Sequence, residues 1–368
     1  MHKKIFYLFW FFLVYSKYDW TVVGAGPAGI SAITVLLESG VSKDKILWID
    51  PSFKVGNLSS YPEVPANSPA SDFVDFFKSS KYFDSSEFLC KKLIENNSEP
   101  FLKDVISPLQ CITYSLRKIV CSKEAYVNEL KKFDNWQLIL NGSEVVESKQ
   151  VILATGSHPI DFGYNKDKTI PLEIALNKDV LKSYVDNKSQ VIVFGGSHSA
   201  ILVLKFLHEI GVKKIINIYK DELTFCDYST NPPTNAGSGL KGIAARWAQD
   251  FLVGSKIENL ERIHLDNLTQ DLIDSSDKIV YAAGFRPNKI NGIKIDKYEA
   301  GELAEGLFGM GIAFPDYYID PKGNKEYLIG LDSFLLYARK TIPGLIKRQI
   351  IFSERYLDLE KYIYFYFL

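Results

Sequence analysis

The sequence predicts an α/β protein, and three observations carry the prediction. A β-forming run passes directly into a glycine turn and a helix at Asp19-Trp20-Thr21-Val22-Val23-Gly24-Ala25-Gly26-Pro27-Ala28-Gly29. A second unit of the same kind stands at Gln190-Val191-Ile192-Val193-Phe194-Gly195-Gly196-Ser197-His198-Ser199-Ala200. Two more apolar strands end on small residues and glycine, Ala154-Thr155-Gly156 and Ala282-Ala283-Gly284, which opens the carboxyl edge of a sheet, where ligands of α/β folds bind. Together they read as two Rossmann-like dinucleotide-binding domains.

In the first unit Gly24 permits the sharp turn, Gly26 lets backbone approach a pyrophosphate, and Gly29 lets the helix pack close on its strand. The pyrophosphate belongs at that helix's N-terminus, where unpaired N–H groups and the dipole favour negative charge without Lys or Arg. Pro27 and Ala28 complete the loop's candidate contacts. Residues from Ala28 to Ser39 supply the helix and Gly40 stops it. Ile46 to Ile49 form the next strand, which ends on Asp50, twenty-one residues past Gly29. A carboxylate at that place accepts from ribose hydroxyls.

The chain's 368 residues suffice for two or three domains with sizeable cores. Its 43 basic and 44 acidic residues nearly cancel, and no basic run is interleaved with the aromatics, which argues against a nucleic-acid-binding protein. Cys90, Cys111, Cys121 and Cys226 show no C-x-x-C or metal spacing, so we expect no metal site and a reducing, cytoplasmic compartment. Residues 1–17 have the charged and apolar regions of a signal peptide but no small-residue cleavage site, and the apolar run is short for a membrane span. They are read as a non-native extension, with a membrane role only if they are native.

The Pro-, Ser- and Asn-rich passage Pro51 to Pro69 is too irregular for a helix. Long loops in compact domains tend to be functional, so it is placed over the bound cofactor, with Asn67 and Ser68 as hydrogen-bonding candidates. Asp72 to Lys78, Glu87 to Ile94 and part of Phe101 to Ser115, on either side of Pro108, look helical and are read as a cap or insertion. Ala125 to Leu130 and Trp136 to Leu140, with Asn141-Gly142 behind them, read as a β-meander leading into the strand at Gln150 to Leu153.

In the second unit Ser197 and Ala200 stand where glycines usually do, and Lys220 stands where an NAD site would want a carboxylate. A cation there meets a 2′-phosphate, so NADPH is favoured, NADH remaining open beside Asp221. Gly195, Gly196, Ser197, Ser199 and Lys220 are the candidate contacts. Gly195-x-Ser197-x-Ser199 also matches part of a hydrolase nucleophile elbow, but its final glycine is missing and His208 and His264 have no evident acid partner. Asn231 to Gly242 reads as a mobile loop between domains, with Lys241 or Arg246 near phosphate or an acidic substrate.

In order and spacing these motifs resemble flavoproteins with two dinucleotide-binding domains. The resemblance covers about residues 18 to 340. It implies that Gly24, Gly26, Gly29 and Asp50 hold FAD, that the second loop holds NAD(P)H, and that the second domain is inserted into the first. The implied boundaries are 18–175 with 280–345 for the FAD domain, 176–279 for the NAD(P) domain, and 346–368 for a tail. Ala154, Thr155, Gly156, Ala283 and Gly284 join the cofactor candidates, as does Gly311, whose neighbourhood has paired glycines suited to backbone pressed on the ribityl or pyrophosphate. No cysteine pair close in sequence exists to relay electrons to a disulfide. The chain is more similar to flavin-dependent monooxygenases, including N-hydroxylating ones, in which no protein nucleophile is needed and no catalytic side chain can be assigned. Ile329-Gly330-Leu331 resembles the His-Gly-Leu helix start of the N-hydroxylating enzymes, with Ile329 in place of His. Such a helix start points positive dipole at the flavin. The expected activity is hydride uptake from NAD(P)H and electron transfer to oxygen or a small-molecule substrate. A flavin- or nucleotide-binding protein without turnover, and a serine hydrolase at Ser197, are the alternatives.

Overall fold

The computed structural model describes residues 18–86, 100–254 and 257–366, without the side chains of 84–86 and 350–366. The extension at 1–17 and the helix read at 87–94 lie outside the described residues. The first unit is β1 (Tyr18–Val23), α1 (Pro27–Glu38) and β2 (Ile46–Asp50). β1 and β2 pair in parallel, Val22 opposite Trp48, and every residue of β2 is buried. That burial on both faces is why these strands read as apolar runs rather than alternating ones.

α2 (Ala70–Lys78) and α3 (Leu102–Arg117) follow. The sequence reading had them as a cap or insertion, and the structure packs them into the helical layer on the sheet. Phe73, Phe76, Leu109 and Ile112 pack in one core with Ile30 and Ile33 of α1, because each helix has an apolar face that only the sheet's own layer can bury. α3 runs unbroken through Pro108.

β3 (Cys121–Glu124) pairs in parallel with β2, and β4 (Val127–Lys132), β5 (Trp136–Leu140) and β6 (Glu144–Leu153) form the expected meander. Asn141 and Gly142 turn it with φ of 48° and 84°, the left-handed pair that a tight hairpin requires. β6 is long enough for two tasks. Its first half pairs antiparallel with β5, and its second half lies parallel to β1, Val23 opposite Leu153.

β7 (Ser157–Pro159) then leads out of this sheet into another. That second sheet holds β8 (Thr169–Ile170), β9 (Gln190–Phe194), β10 (Lys214–Tyr219), β11 (Leu260–His264) and β12 (Lys278–Tyr281). All pairs are parallel, in the order β11-β10-β9-β12-β8. α4 (His198–Ile210) packs on it with α5 (Gly242–Ala248), and α6 (Gln270–Ser275) covers the other face. The chain returns through β13 (Phe285–Pro287), which pairs antiparallel with β7. It rejoins the first sheet at β14 (Gly301–Ala304) and β15 (Leu307–Gly309). The second sheet is therefore an insertion in the first, and the two connecting strands run side by side.

A hairpin, β16 (Asp316–Ile319) and β17 (Lys325–Leu328), precedes α7 (Leu331–Tyr366). Phe334, Leu335, Ala338 and Ile342 of α7 bury against the α1 layer. None of the described helices is long and apolar enough to cross a membrane.

The loop from Asn231 to Gly242 is not free. Glu326 on β17, 2% exposed, accepts from the Gly237 and Ser238 amides at 2.6 and 3.0 Å and from Ser238 Oγ at 3.0 Å. Tyr318 donates its hydroxyl to the Pro233 carbonyl. A polar, glycine-rich composition reads as mobility unless a distant acceptor satisfies its amides, and here one does.

Candidate functional site

The first glycine loop is built around close approaches. A Cβ at Gly24 would stand 2.2 Å from the Ala154 carbonyl oxygen, and one at Gly29 would stand 1.9 Å from that of Gly24. Gly24 also takes φ of 111°, a region that side chains disfavour. Gly26, extended at φ −74°, caps α1 ahead of Pro27, and the first turn of α1 carries no acid. These features leave free N–H groups and positive dipole facing outward.

Asp50 closes the loop from the neighbouring strand. Its Oδ2 accepts from the Ala25 amide at 2.7 Å, and Oδ1 accepts from the Ser52 and Phe53 amides at 2.9 and 2.7 Å. From the spacing it is expected at a ribose. The structure adds a bracing role, because Phe53 and Val55 sit at φ of 52° and 61°. A left-handed valine is strained by about 1–3 kcal/mol, and the Asp50 bonds to the residues before it offset that cost.

The braced segment bends over a cavity of about 380 Å³. Gly24, Gly26, Pro27, Ala28, Asp50, Asn67, Ala154, Thr155, Gly156 and Gly330 all line it, so the structure brings these predicted residues together. Among its described lining residues Asp50 is the sole carboxylate, and no Lys, Arg or His is present. The start of α7 meets the cavity from the far side, with Ile329, Gly330 and Leu331 in the wall. Val55, Asn57, Tyr61, Phe285 and Asn288 also line it and were not singled out in the sequence. Burial and the charge of Glu173 push the Tyr61 phenol up to about 12. Asn288 donates to the Thr155 carbonyl at 2.8 Å and holds His158 Nδ1 at 2.7 Å, tying the outgoing connection to the returning one.

Four of the residues predicted for this cofactor lie elsewhere. Gly311 is pressed against protein: a Cβ there would stand 2.5 Å from Ala28 Cβ. Its neighbour Ile312 lines the cavity instead. Ala283 and Gly284 follow β12 beside the second loop, where a Cβ at Gly195 would stand 2.2 Å from the Ala282 carbonyl oxygen. Gly29 is buried against Gly24 rather than in the cavity wall.

The second loop repeats the first. Gly195 has φ of 125°, and Ser197 caps α4 in an extended conformation, φ −103°, as Gly26 caps α1. Neither cap needs left-handed backbone, and Ser197 is exposed with no capping bond, so its side chain stands clear of the loop's amides. Gly196 and Ser199 are half-buried beside it, and Lys220 is exposed at the end of β10.

His198 is structural. Its Nε2 accepts from the Lys241 amide at 2.9 Å, which leaves the proton on Nδ1 and no base for Ser197. The hydrolase reading ends there. Burial, and secondarily the Lys241 charge, push His198 down from 6.5 to about 4. Between those values the unfolded chain binds the extra proton, so stability falls as pH drops through that window, by roughly 3 kcal/mol at its acid end. We expect His198→Gln, which keeps an acceptor for Lys241, to remove most of this loss in urea titrations at pH 7 and pH 4.5. Equal acid sensitivity in the two proteins would refute the assignment.

Residues 18–306 match the family model described as pyridine nucleotide-disulphide oxidoreductase. The chain is similar to a protein named monooxygenase AgnR1 from Paecilomyces divaricatus, 26% identical over 378 residues covering 88% of this chain and 96% of the relative. In structure it resembles an ornithine hydroxylase from Pseudomonas aeruginosa (TM-score 0.63, 12% identity, 90% of this chain and 99% of that one). A bacillithiol disulfide reductase from Staphylococcus aureus matches as well (TM-score 0.60, 16% identity, 91% and 99%). At these identities the structural likeness speaks for the fold alone.

Proposed function

We propose that this chain, which belongs to the pyridine nucleotide-disulphide oxidoreductase family, is an FAD- and NADPH-dependent oxidoreductase of monooxygenase type acting on a small molecule. The observation that carries the reading is the cavity enclosed by the first glycine loop, the Asp50-braced segment and the start of α7. Its chemistry fits FAD. An elongated diphosphate cofactor needs a wall of backbone and small residues at its centre and helix N-termini near its charges, and the lining supplies both without a basic side chain.

Gly24, Gly26, Pro27 and Ala28 would take the pyrophosphate, with Asp50 holding the loop in shape and near the ribose. Ala154, Thr155 and Gly156 would leave room on the opposite side. The N-terminus of α7 at Gly330 would favour negative charge on the ring it faces. Bound FAD supplies the redox chemistry, accepting hydride from NADPH and passing electrons to oxygen or a substrate. The second loop would place the nicotinamide nucleotide, which assigns 176–279 to that task and 18–175 with 280–345 to FAD. A monooxygenase needs no protein thiol, and Cys111, Cys121 and Cys226 are free.

The test is the visible spectrum of the purified chain before and after anaerobic NADPH. We expect flavin bands that bleach. A colourless protein would overturn the assignment, and flavin that stays oxidised would leave a binding protein without turnover.

A further inference from the structure

The cavity at the first glycine loop leaves little charge for a bound molecule to meet. Among its described lining residues only Asp50 and Tyr61 titrate. Asp50 is occupied, because its two oxygens accept from the Ala25, Ser52 and Phe53 amides. The α1 N-terminus, which does favour an anion, is taken by the pyrophosphate in the reading above. A further ammonium or carboxylate entering here would lose its hydration without gaining a counter-ion, which is costly. Apolar groups meet no such penalty. Phe285, on the returning connection, and Ile329, just ahead of α7, line the cavity while remaining 37% and 49% exposed. Large apolar side chains that stay open in a concave wall form a surface for a ligand to cover.

Beside Phe285 the wall carries a hydrogen-bond donor. The Tyr61 ring meets that of Phe285 edge-on, with centroids 6.4 Å apart and planes at 80°. Asn57 donates Nδ2 to the Ser157 carbonyl at 3.2 Å and also bonds the Tyr61 hydroxyl. That second bond favours the phenolate, so the amide is its donor and the phenol's own hydrogen is left for another acceptor. Burial, and then the Glu173 charge, nevertheless hold the phenol up at about 12, and it stays a donor across neutral pH. The body of such a ring gives contact area, and its tip gives direction.

We propose that the substrate taken beside the flavin is an uncharged, largely apolar molecule bearing an oxygen acceptor, and that Tyr61 donates to that oxygen; this rests on the reading of the cavity as the FAD site. A carbonyl, ether or neutral hydroxyl oxygen serves. Phe285 and Ile329 cover the apolar body, and the one directed bond decides which part of the molecule is turned to the cofactor. Amino acids and other zwitterions are refused on charge, whatever their size.

The experiment uses the oxidised, flavin-loaded protein without NADPH, so that it reads binding and not turnover. The probes are α-tetralone, its oxygen-free counterpart tetralin, and L-lysine, followed by calorimetry and by the shift of the flavin bands. We expect both neutral probes to bind and L-lysine not to bind. Tyr61→Phe should weaken α-tetralone about three- to tenfold and leave tetralin unchanged. Ile329→Lys, at a half-exposed position that tolerates charge, should weaken both. Equal α-tetralone affinity in the wild type and Tyr61→Phe overturns the role of Tyr61. Binding of L-lysine overturns the substrate class, and so does a yellow protein that binds neither neutral probe. A colourless protein overturns the cofactor reading, and this assignment with it.

Discussion

Gly24→Ala is expected to yield a folded but colourless protein, and Gly195→Ala a yellow one that NADPH no longer bleaches. The two glycines make the same approach, each 2.2 Å from a carbonyl oxygen by its absent Cβ, Ala154 for one and Ala282 for the other. Each also holds a positive φ, 111° and 125°. A methyl group at either place must push two strand ends apart, an overpacking cost of about 1–3 kcal/mol, with a further 1–2 kcal/mol or so for the left-handed backbone. Against a domain stability of about 5–15 kcal/mol the fold survives, but the loop geometry does not. The readouts are the ratio of flavin to protein absorbance and the anaerobic bleaching rate. A Gly24→Ala protein with a full complement of flavin would remove the first loop from the proposed site. A Gly195→Ala protein bleached at the wild-type rate would do the same for the second.

Those two loops were legible because their geometry leaves a compositional mark. Only glycine tolerates the approach at Gly24, and parallel strands buried on both faces read as unbroken apolar runs. The Asn141-Gly142 hairpin and the helix start at Gly330 were visible for similar local reasons. What the sequence hid depends on partners. Phe73 and Phe76 mark an apolar face without saying that α1 will cover it, so a core layer was read as a cap or insertion. Phe53 and Val55 carry no sign of their left-handed backbone, which Asp50 enforces by accepting from the amides that precede it. The hydrogen bond from Arg262 Nε to Asn217 Oδ1 requires the register between β10 and β11, and no local pattern encodes register between strands so far apart in sequence. Gly311 shows the converse error: the reading that glycine signals close approach was right, but the approaching group is Ala28 rather than a ligand.

Glu326 is the largest of these hidden contributions. In sequence it is one acid in a polar hairpin, and in the structure it is a buried acceptor for two amides and a hydroxyl from the loop that leads to α5. That loop ends at Lys241, whose amide holds His198 at the start of α4, so the carboxylate on β17 is connected through backbone to the second glycine loop. Glu326→Ala leaves all three donors without their charged acceptor, the Gly237 amide half-buried and those of Ser238 nearer to water. At about 1–3 kcal/mol for each orphaned group, less than additive because the loop can relax toward water, we expect roughly 3 kcal/mol of lost stability. Ser238→Ala, which removes one donor and leaves the carboxylate its two amides, should cost only about 1 kcal/mol. If the loop positions the nucleotide, Glu326→Ala should also slow anaerobic bleaching by NADPH while the flavin content stays full, because the first loop and Asp50 lie outside this network. Urea midpoints and stopped-flow bleaching on the two variants separate the effects. A Glu326→Ala protein as stable as Ser238→Ala would show that the carboxylate does not pin the loop in solution. A destabilised variant with an unaltered bleaching rate would confine Glu326 to holding the two halves together.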